Sequence, residues 1–221
     1  GFLMPRIGFD TVLGGIYDQS YYWNIAPDKD ATIGAMLMTD VAPLAKGEYR
    51  QRFEDAEITL SGGLTYSDRT DTNNGLEFRE DNQTRGHLDV EGLWNINDKW
   101  RAGTALKMVS DSQYLRQYNI SNEDVLENKV YVERFDDRNY ATANLIKFKD
   151  IRVSSRKVDQ PDVLPEIYTR FLGTPNGWLG GRWSAELSAL GLRREGDDQD
   201  VARGSIDAGW ERRFVSERGF V

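Results

Sequence analysis

The stretch that decides the fold is Ser20-Tyr21-Tyr22-Trp23-Asn24-Ile25-Ala26-Pro27-Asp28-Lys29-Asp30-Ala31-Thr32, in which three aromatic residues precede a Pro/Asp turn. Tyr and Trp rings suit a position with one wet side and one apolar side, such as the headgroup level of a bilayer. Segments that alternate polar and apolar residues flank this turn. We therefore expect a β-hairpin that leaves a membrane here, with Tyr21, Tyr22, Trp23, Asn24 and Pro27 forming an interfacial girdle and turn.

Alternation with a period of two continues through the rest of the chain. Between residues 182 and 189 the apolar side chains, Leu187 among them, hold the odd positions, and polar ones hold the even positions. Successive side chains of a strand point to opposite faces, so each such segment has one apolar and one polar face. The residues predicted for the polar, luminal side of these strands are His87, Asp89, Glu91, Arg101, Lys107, Arg182 and Glu186. No window shows convincing helical spacing, and the chain is predicted to be all-β.

The predicted connections differ in length at the two ends of the strands. Short turns are expected near 25–28, 55, 95–99, 136–139, 174–177 and 216–219, and longer polar ones at 67–83, 110–127, 150–162 and 192–200. Two early hairpins, at 11–14 and 40–43, break this rule because they are short at the long-loop end. Aromatic residues, including Trp94 and Trp100, cluster beside the short turns. This asymmetry is typical of outer-membrane β-barrels. Strand and turn together take roughly 18 residues, so the chain is predicted to hold about a dozen meandering antiparallel strands.

Composition limits the alternatives. The net charge of −8 argues against nucleic-acid binding, which depends on basic patches. The mean hydropathy is −0.62, and no apolar run approaches the roughly 18 residues of a transmembrane helix. A soluble β-sandwich with the aromatic residues in its core is the alternative fold.

Three segments also resemble a known family. Phe2-Leu3-Met4-Pro5, Tyr21 to Thr32, and Lys107-Met108-Val109-Ser110-Asp111-Ser112-Gln113-Tyr114 are similar to the barrel of the LptD family of lipopolysaccharide-assembly proteins. The resemblance implies that residues 1–221 are the N-terminal portion of a barrel in the outer membrane of a Gram-negative bacterium. It also implies lipopolysaccharide as substrate, the lipoprotein LptE as a plug inside the barrel, and the periplasmic bridge protein LptA as a partner.

The resemblance assigns a specific functional role to Pro5. Proline cannot donate a ladder hydrogen bond, and we expect Pro5 to lie inside the first strand and weaken it. In the family, the first and last strands meet in a poorly bonded lateral gate, which here would include Phe2, Leu3, Pro5, Ile7 and Ser20. Family members often have a second proline where this chain has Ser20, so this chain departs from the family's pattern in its second strand. The alternative is that Pro5 only marks the start of the strand.

Enzymatic signals are few. His87 is the only histidine, and it lies between polar neighbours in the middle of a predicted strand, which favours a solvated luminal side chain. We predict no catalytic residue, metal site or cofactor. Two other functions stay open. A general porin shares the strand pattern, and a membrane-embedded lipid-modifying enzyme would need His87 and a nucleophile.

Overall fold

Antiparallel pairing organises the chain. The computed structural model describes residues 1–73, 76–152, 160–194, 200–216 and 219–220. Within them, twelve strands form one sheet in sequence order, with β1 and β12 as its edges, and two short strands form a separate antiparallel pair. The strands are β1 (Arg6–Asp10), β2 (Gly14–Ala26), β3 (Lys29–Met38), β4 (Leu44–Arg52), β5 (Ala56–Asn73), β6 (Leu76–Asn95), β7 (Trp100–Val109), β8 (Val125–Asp136), β9 (Asn139–Asp150), β10 (Asp162–Leu172), β11 (Arg182–Arg193), β12 (Val201–Glu211), β13 (Val215–Ser216) and β14 (Gly219–Phe220).

Helical structure in the described residues is confined to two short pieces. Helix α1 (Tyr114–Gln117) follows β7, and a 3-10 turn (Trp178–Gly180) precedes β11. None of the helices in these residues is long and apolar enough to cross a membrane. The prediction of an all-β fold with about a dozen meandering antiparallel strands is confirmed.

The chain divides into two compact units. The first consists of Gly1–Trp94, Gly103–Lys129 and Lys147–Gln160, and the second of Asn95–Ala102, Val130–Ile146 and Pro161–Val221. The hydrophobic core of the first unit comprises Met36, Leu44, Val109, Tyr114, Leu115, Tyr118, Leu126 and Ile151. This core is gathered where β3, β4, β7 and β8 meet the connection that contains α1.

Cross-strand register in the first unit places successive side chains of each strand on opposite faces. One row across β2 to β6 consists of Ser20, Gly34, Lys46, Gly63 and His87. The adjacent row consists of Tyr21, Ile33, Gly47, Gly62 and Leu88. We call the two sides of the unit the polar face and the apolar face. Because one strand slipped by one residue would exchange its faces, this register fixes which side chains face which way.

The second unit has the same division. Tyr140, Arg170, Glu186 and Asp207 share a row across β9 to β12, and the next row consists of Ala141, Thr169, Leu187 and Ile206. Trp183 lies opposite Trp210 on the apolar face, with the ring centroids 6.4 Å apart. The alternation that the sequence predicts for residues 182–189 is therefore confirmed in the pairing.

Most predicted turns within the described residues lie where the sequence places them, and the predicted connections at 150–162, 192–200 and 216–219 lie partly outside those residues. Thr11–Leu13 connects β1 to β2, and the Asp10 carboxylate closes this turn by accepting from the backbone N–H groups of Val12 and Leu13. Asn97 does the same in the turn before β7, where its side chain accepts from the N–H groups of Lys99 and Trp100.

The predicted loop at 67–83 is wrong. The β5–β6 ladder continues through it, from the Arg69–Glu80 pair to the Asn73–Leu76 pair, after an irregularity beyond Ser67. The sequence there is rich in charged and polar residues. Hydrogen bonding along the backbone does not require an apolar face, so the strands extend further than the apolar pattern does.

Gly47 of β4 and Gly62 of β5 pair with each other, but the space around them differs. A Cβ on Gly62 would lie 2.6 Å from the carbonyl oxygen of His87, whereas the nearest atom to a Cβ on Gly47 is 3.8 Å away. We expect Gly62→Ala to lower the free energy of unfolding by about 1–3 kcal/mol, because backbone must move. Gly47→Ala should stay within about 0.5 kcal/mol of the parent. Urea unfolding of the purified protein measures both, and equal effects would contradict the close approach at Gly62.

Candidate functional site

The first two strands bring the predicted gate residues together at one edge of the sheet. Arg6 pairs with Asp18 at the start of β1, and Ile7 pairs with Tyr17. Further towards the N-terminus, Phe2 forms an isolated bridge with Tyr21. Three residues of the first segment, 3–5, therefore face only two of the second, 19 and 20. This is a bulge, and it shifts the alternation so that Phe2 and Ile7 lie on the same, apolar face.

Pro5 lies in this bulge and not inside β1, so the expected position is corrected. The strand begins at Arg6, immediately after it. Proline has no N–H to donate, and it restricts Met4 to extended conformations, which together explain why the regular ladder stops here. The position matches the strand-start alternative, although paired backbone resumes at Phe2 on the far side of the bulge.

Backbone bonds hold the segment beyond the bulge. The Leu3 N–H donates to the Ser20 carbonyl over 2.9 Å, and the Tyr22 N–H donates to the Gly1 carbonyl over 2.8 Å. Ser20 thus contributes its carbonyl to Leu3, an acceptor that a proline at this position would also have. On the polar face, the Asp18 carboxylate lies 3.1 Å from Arg6 of β1 and 2.6 Å from Lys46 of β4. The buried Asp18 of β2 therefore links β1 to β4 through two ion pairs.

Aromatic side chains mark the end of β2. Tyr21 and Trp23 are exposed on the apolar face, and Tyr21 meets the Phe2 ring edge to face, with centroids 5.2 Å apart. Tyr22 lies on the other face, opposite Thr32, and Asn24 and Pro27 lead into the turn before β3. Trp94 is the last residue but one of β6 and Trp100 begins β7, one on each side of a short turn, and both are exposed. Each of these tryptophans therefore lies beside a short turn, as the sequence predicts.

The polar face of the first unit carries paired charges. His87, Asp89 and Glu91 lie opposite Gly63, Ser61 and Thr59 on this face. Lys107 Nζ lies 2.7 Å from Glu123. The His87 ring nitrogen Nδ1 is 3.2 Å from the Tyr114 hydroxyl, which is a buried phenol. The His87 ring is therefore held by a hydrogen bond to Tyr114.

Ion pairs recur in the second unit. Arg101 lies 2.7 Å from Glu133, which also accepts from the Tyr140 hydroxyl over 2.7 Å. Arg170 of β10 and Glu186 of β11 are 3.6 Å apart, and Arg182 contacts Glu211 of β12. Each of these pairs joins two neighbouring strands of the sheet. The described residues contain no group of three or more His, Asp or Glu side chains suited to a metal ion.

A folded connection covers part of the polar face in the first unit. We call residues 110–124, between β7 and β8, the capping loop. Its anchor is Asp111, whose carboxylate receives two hydrogen bonds from Arg85 of β6, over 2.8 and 2.9 Å. Arg85 also donates to Gln117 over 2.6 Å and to the Asp68 carbonyl over 2.8 Å. Because the Arg85 and Asp111 side chains are 1% and 0% exposed, this two-pronged ion pair is fully buried.

The tip of the capping loop contacts the two early hairpins. The Tyr118 hydroxyl lies 3.1 Å from Thr65 Oγ1, and it donates to the Ala42 carbonyl over 3.3 Å. Asn119 donates to the Asp10 carboxylate over 3.0 Å, which ties the loop to the end of β1. The short hairpins at 11–14 and 40–43 therefore leave room for this loop to fold across them.

Comparison with known proteins places this architecture in a family. The family model of LPS transport system D, LptD, matches residues 83–221, more than half of the chain. The chain belongs to the LptD family. It is 28% identical over its whole length to the LPS-assembly protein LptD of Paracidovorax citrulli and 27% identical over 91% of its length to that of Methylococcus capsulatus. It spans 27% and 18% of those two LptD proteins, respectively.

The sequence reasoning missed Arg85 and the anchoring of the capping loop. The segment that resembles the LptD family, residues 107–114, contains Asp111 and Tyr114, and this was the available signal. Asp111 also accepts from the Gln113 and Tyr114 N–H groups, which starts helix α1. Its partner Arg85 lies 26 residues earlier in the chain. Nothing in the local pattern pairs two residues so far apart.

The Arg85–Asp111 pair predicts a loss of order in acid. Burial raises the pKa of Asp111, but hydrogen bonds from Arg85 and its charge outweigh this and hold the pKa below the ordinary value of 3.8. A carboxyl whose pKa is lowered by folding stabilises the fold above its unfolded pKa, and this contribution disappears as the pH falls through the folded pKa. We expect the protection factors of the amides in residues 110–124, which compare each exchange rate with the intrinsic rate at the same pH, to fall below about pH 4, with β4 and β5 less affected.

Neutralising Asp111 tests whether its ion pair with Arg85 holds the capping loop in place. Asp111→Asn should expose the capping loop to proteases at neutral pH, because leaving one member of a buried ion pair alone costs about 3–5 kcal/mol. Asp124→Asn is the matched control, since Asp124 is mostly exposed beside Arg116 and should change little. Equal cleavage of the two variants would contradict the anchoring role of Asp111.

Proposed function

We propose that the full-length protein inserts lipopolysaccharide into the outer leaflet of the outer membrane of a Gram-negative bacterium. Residues 1–221 would form the N-terminal portion of its transmembrane β-barrel. The observation that carries this proposal is the two-faced sheet of an LptD-family chain, in which Leu187 and Ile206 share one face and Glu186 and Asp207 the other. An apolar face suits contact with lipid, and a polar face suits a hydrated lumen.

The division of faces supports a path for an amphipathic lipid. Lipopolysaccharide has acyl chains that favour hydrocarbon and sugars that favour water. Ion pairs such as Lys107–Glu123 in the first unit and Arg101–Glu133 in the second supply charged groups that favour contact with water. We propose that the sugars pass along this face while the acyl chains leave through an opening between strands.

The opening is proposed at β1. This strand is five residues long and lies at the edge of the sheet, and the bulge at Pro5 interrupts its pairing with β2. An interrupted edge strand is held by fewer backbone bonds and separates from a neighbour more readily. Phe2, Leu3, Pro5, Ile7 and Ser20 would therefore form one side of a lateral gate, and a later strand of the full-length protein would form the other.

Partners follow from this assignment. We propose that the lipoprotein LptE plugs the lumen and that LptA delivers lipopolysaccharide from the periplasm.

Trp23, Trp94 and Trp100 would lie at the periplasmic membrane interface beside the short turns, and the capping loop would lie at the outer end. A general porin needs neither the interrupted first strand nor LptD-family membership. A lipid-modifying enzyme is less well supported, because His87 is engaged with Tyr114.

Depletion tests the transport assignment. When synthesis of the full-length protein is stopped, newly made lipopolysaccharide should cease to reach an impermeant label on whole cells, while other outer-membrane proteins continue to be inserted. Unchanged surface labelling would contradict the assignment. Ion conductance by the purified protein without LptE, together with unchanged labelling, would favour a porin.

The gate predicts the effect of Pro5→Ala. Alanine restores one backbone N–H and permits one further hydrogen bond at the first strand, worth about 0.5–1.5 kcal/mol net. The gate should open less readily, so the surface labelling rate should fall at unchanged barrel abundance and unchanged LptE association. An unaffected rate, or a loss explained by misfolding alone, would leave Pro5 as a residue that only precedes the strand.

A further inference from the structure

A polar side chain lies among aromatic residues on the apolar face beside the Pro5 bulge. Gln19 is in β2, with Tyr17 two residues before it and Tyr21 two residues after it on the same face. A primary amide on a surface that contacts hydrocarbon is unfavourable unless its donors and acceptor are satisfied. Gln19 therefore requires an explanation from its contacts.

The contacts of Gln19 satisfy the whole amide. Its Nε2 donates to the Leu3 carbonyl over 2.8 Å and to the Ser20 carbonyl over 3.0 Å. Its Oε1 accepts from the Tyr17 hydroxyl over 3.3 Å. The amide thus bridges the two backbone segments at the bulge, and the tyrosine orients it.

This bridge replaces a bond of the regular ladder. In a hydrogen-bonded antiparallel pair, each residue donates its N–H to the carbonyl of the other. Leu3 donates to Ser20 in this way, but among the described residues the Leu3 carbonyl accepts from the Gln19 side chain and not from the Ser20 N–H. The shifted register at the bulge explains the substitution, because residues 3–5 face only two residues of β2.

We propose that Gln19 is a positioning residue that ties the segment before Pro5 to β2 and so sets how readily the start of the first strand leaves the sheet. On the polar face, the Arg6–Asp18 pair holds the first residue after Pro5. On the apolar face, Gln19 holds Leu3, two residues before Pro5. Side-chain contacts on both faces of the sheet therefore connect the first segment to β2 around the bulge. The consequence for lipopolysaccharide export, but not the tie itself, rests on the proposed function.

A second Tyr-x-Gln pair provides a matched control. In β4, the Tyr49 hydroxyl donates to Gln51 Oε1 over 2.6 Å, the same contact that Tyr17 makes with Gln19. β4 pairs with β3 and β5, so Gln51 lies away from the first strand. Substitution of either glutamine by methionine keeps length and shape but removes the amide donors.

The experiment compares Gln19→Met with Gln51→Met in the full-length protein in its membrane. Backbone hydrogen exchange at residues 1–3 should become about two- to tenfold faster in Gln19→Met, the change expected for one net hydrogen bond. Gln51→Met should leave it unchanged. Tyr17→Phe should cause a smaller increase, because the amide loses its orienting donor, and Tyr49→Phe should cause none.

Unchanged exchange at residues 1–3 in Gln19→Met would overturn the proposal, as would an equal increase in Gln51→Met. Surface labelling of new lipopolysaccharide, measured in the same cells, separates the two proposals. Faster exchange with an altered labelling rate supports both the tie and the gate. Faster exchange with an unaltered labelling rate supports the tie and counts against a gate at the first strand.

Discussion

The antiparallel register is the constraint on which the other features of this chain depend. Backbone pairing places Ser20, Gly34, Lys46, Gly63 and His87 in one row and Tyr21, Ile33, Gly47, Gly62 and Leu88 in the next. Each strand contributes only a local preference for one polar and one apolar side. The register combines these preferences into two continuous faces, and a slip of one residue in any strand would break both.

The bulge at Pro5 is a local departure from this register, and it places residues on both sides of it on the same face. Without the extra residue, Phe2 and Ile7 would point to opposite faces, because their numbers differ by five. With it, both lie on the apolar face, and Phe2 packs against Tyr21. The first strand therefore keeps its apolar surface continuous while it loses regular hydrogen bonds. Gln19 and the Arg6–Asp18 pair compensate for that loss on opposite faces.

Strand and turn positions were largely predictable because both depend on neighbouring residues. The alternation around Leu187 and the Asn97 turn are examples in which a few adjacent side chains determine the structure. The extension of β5 and β6 through residues 67–73 and 76–83 was not predictable from polarity, which indicates exposure to water and not the absence of a ladder.

The site was less predictable than the fold because its bonds connect distant residues. Arg85 reads as one more charge on a polar strand, and only folding brings it to Asp111. Gln19 reads as a break in an aromatic pattern, and its role depends on the Leu3 carbonyl, 16 residues earlier. The resemblance indicated the importance of Pro5 but not its position. Pro5 lies in a bulge and not inside the first strand, because the register between the first two strands shifts there, and that shift is not visible in the sequence.

The central claim is that one face of this sheet contacts lipid and the other contacts water. Leu187 and Glu186 are neighbours in β11 on opposite faces, and both are partly exposed. The most direct measurement is the folding yield of the intact barrel into lipid vesicles with Leu187→Arg or Glu186→Arg. Arginine on the lipid face costs about 2–4 kcal/mol near the bilayer midplane, so Leu187→Arg should fold much less efficiently, whereas Glu186→Arg should fold nearly as the parent does. Equal yields for the two variants would contradict the account.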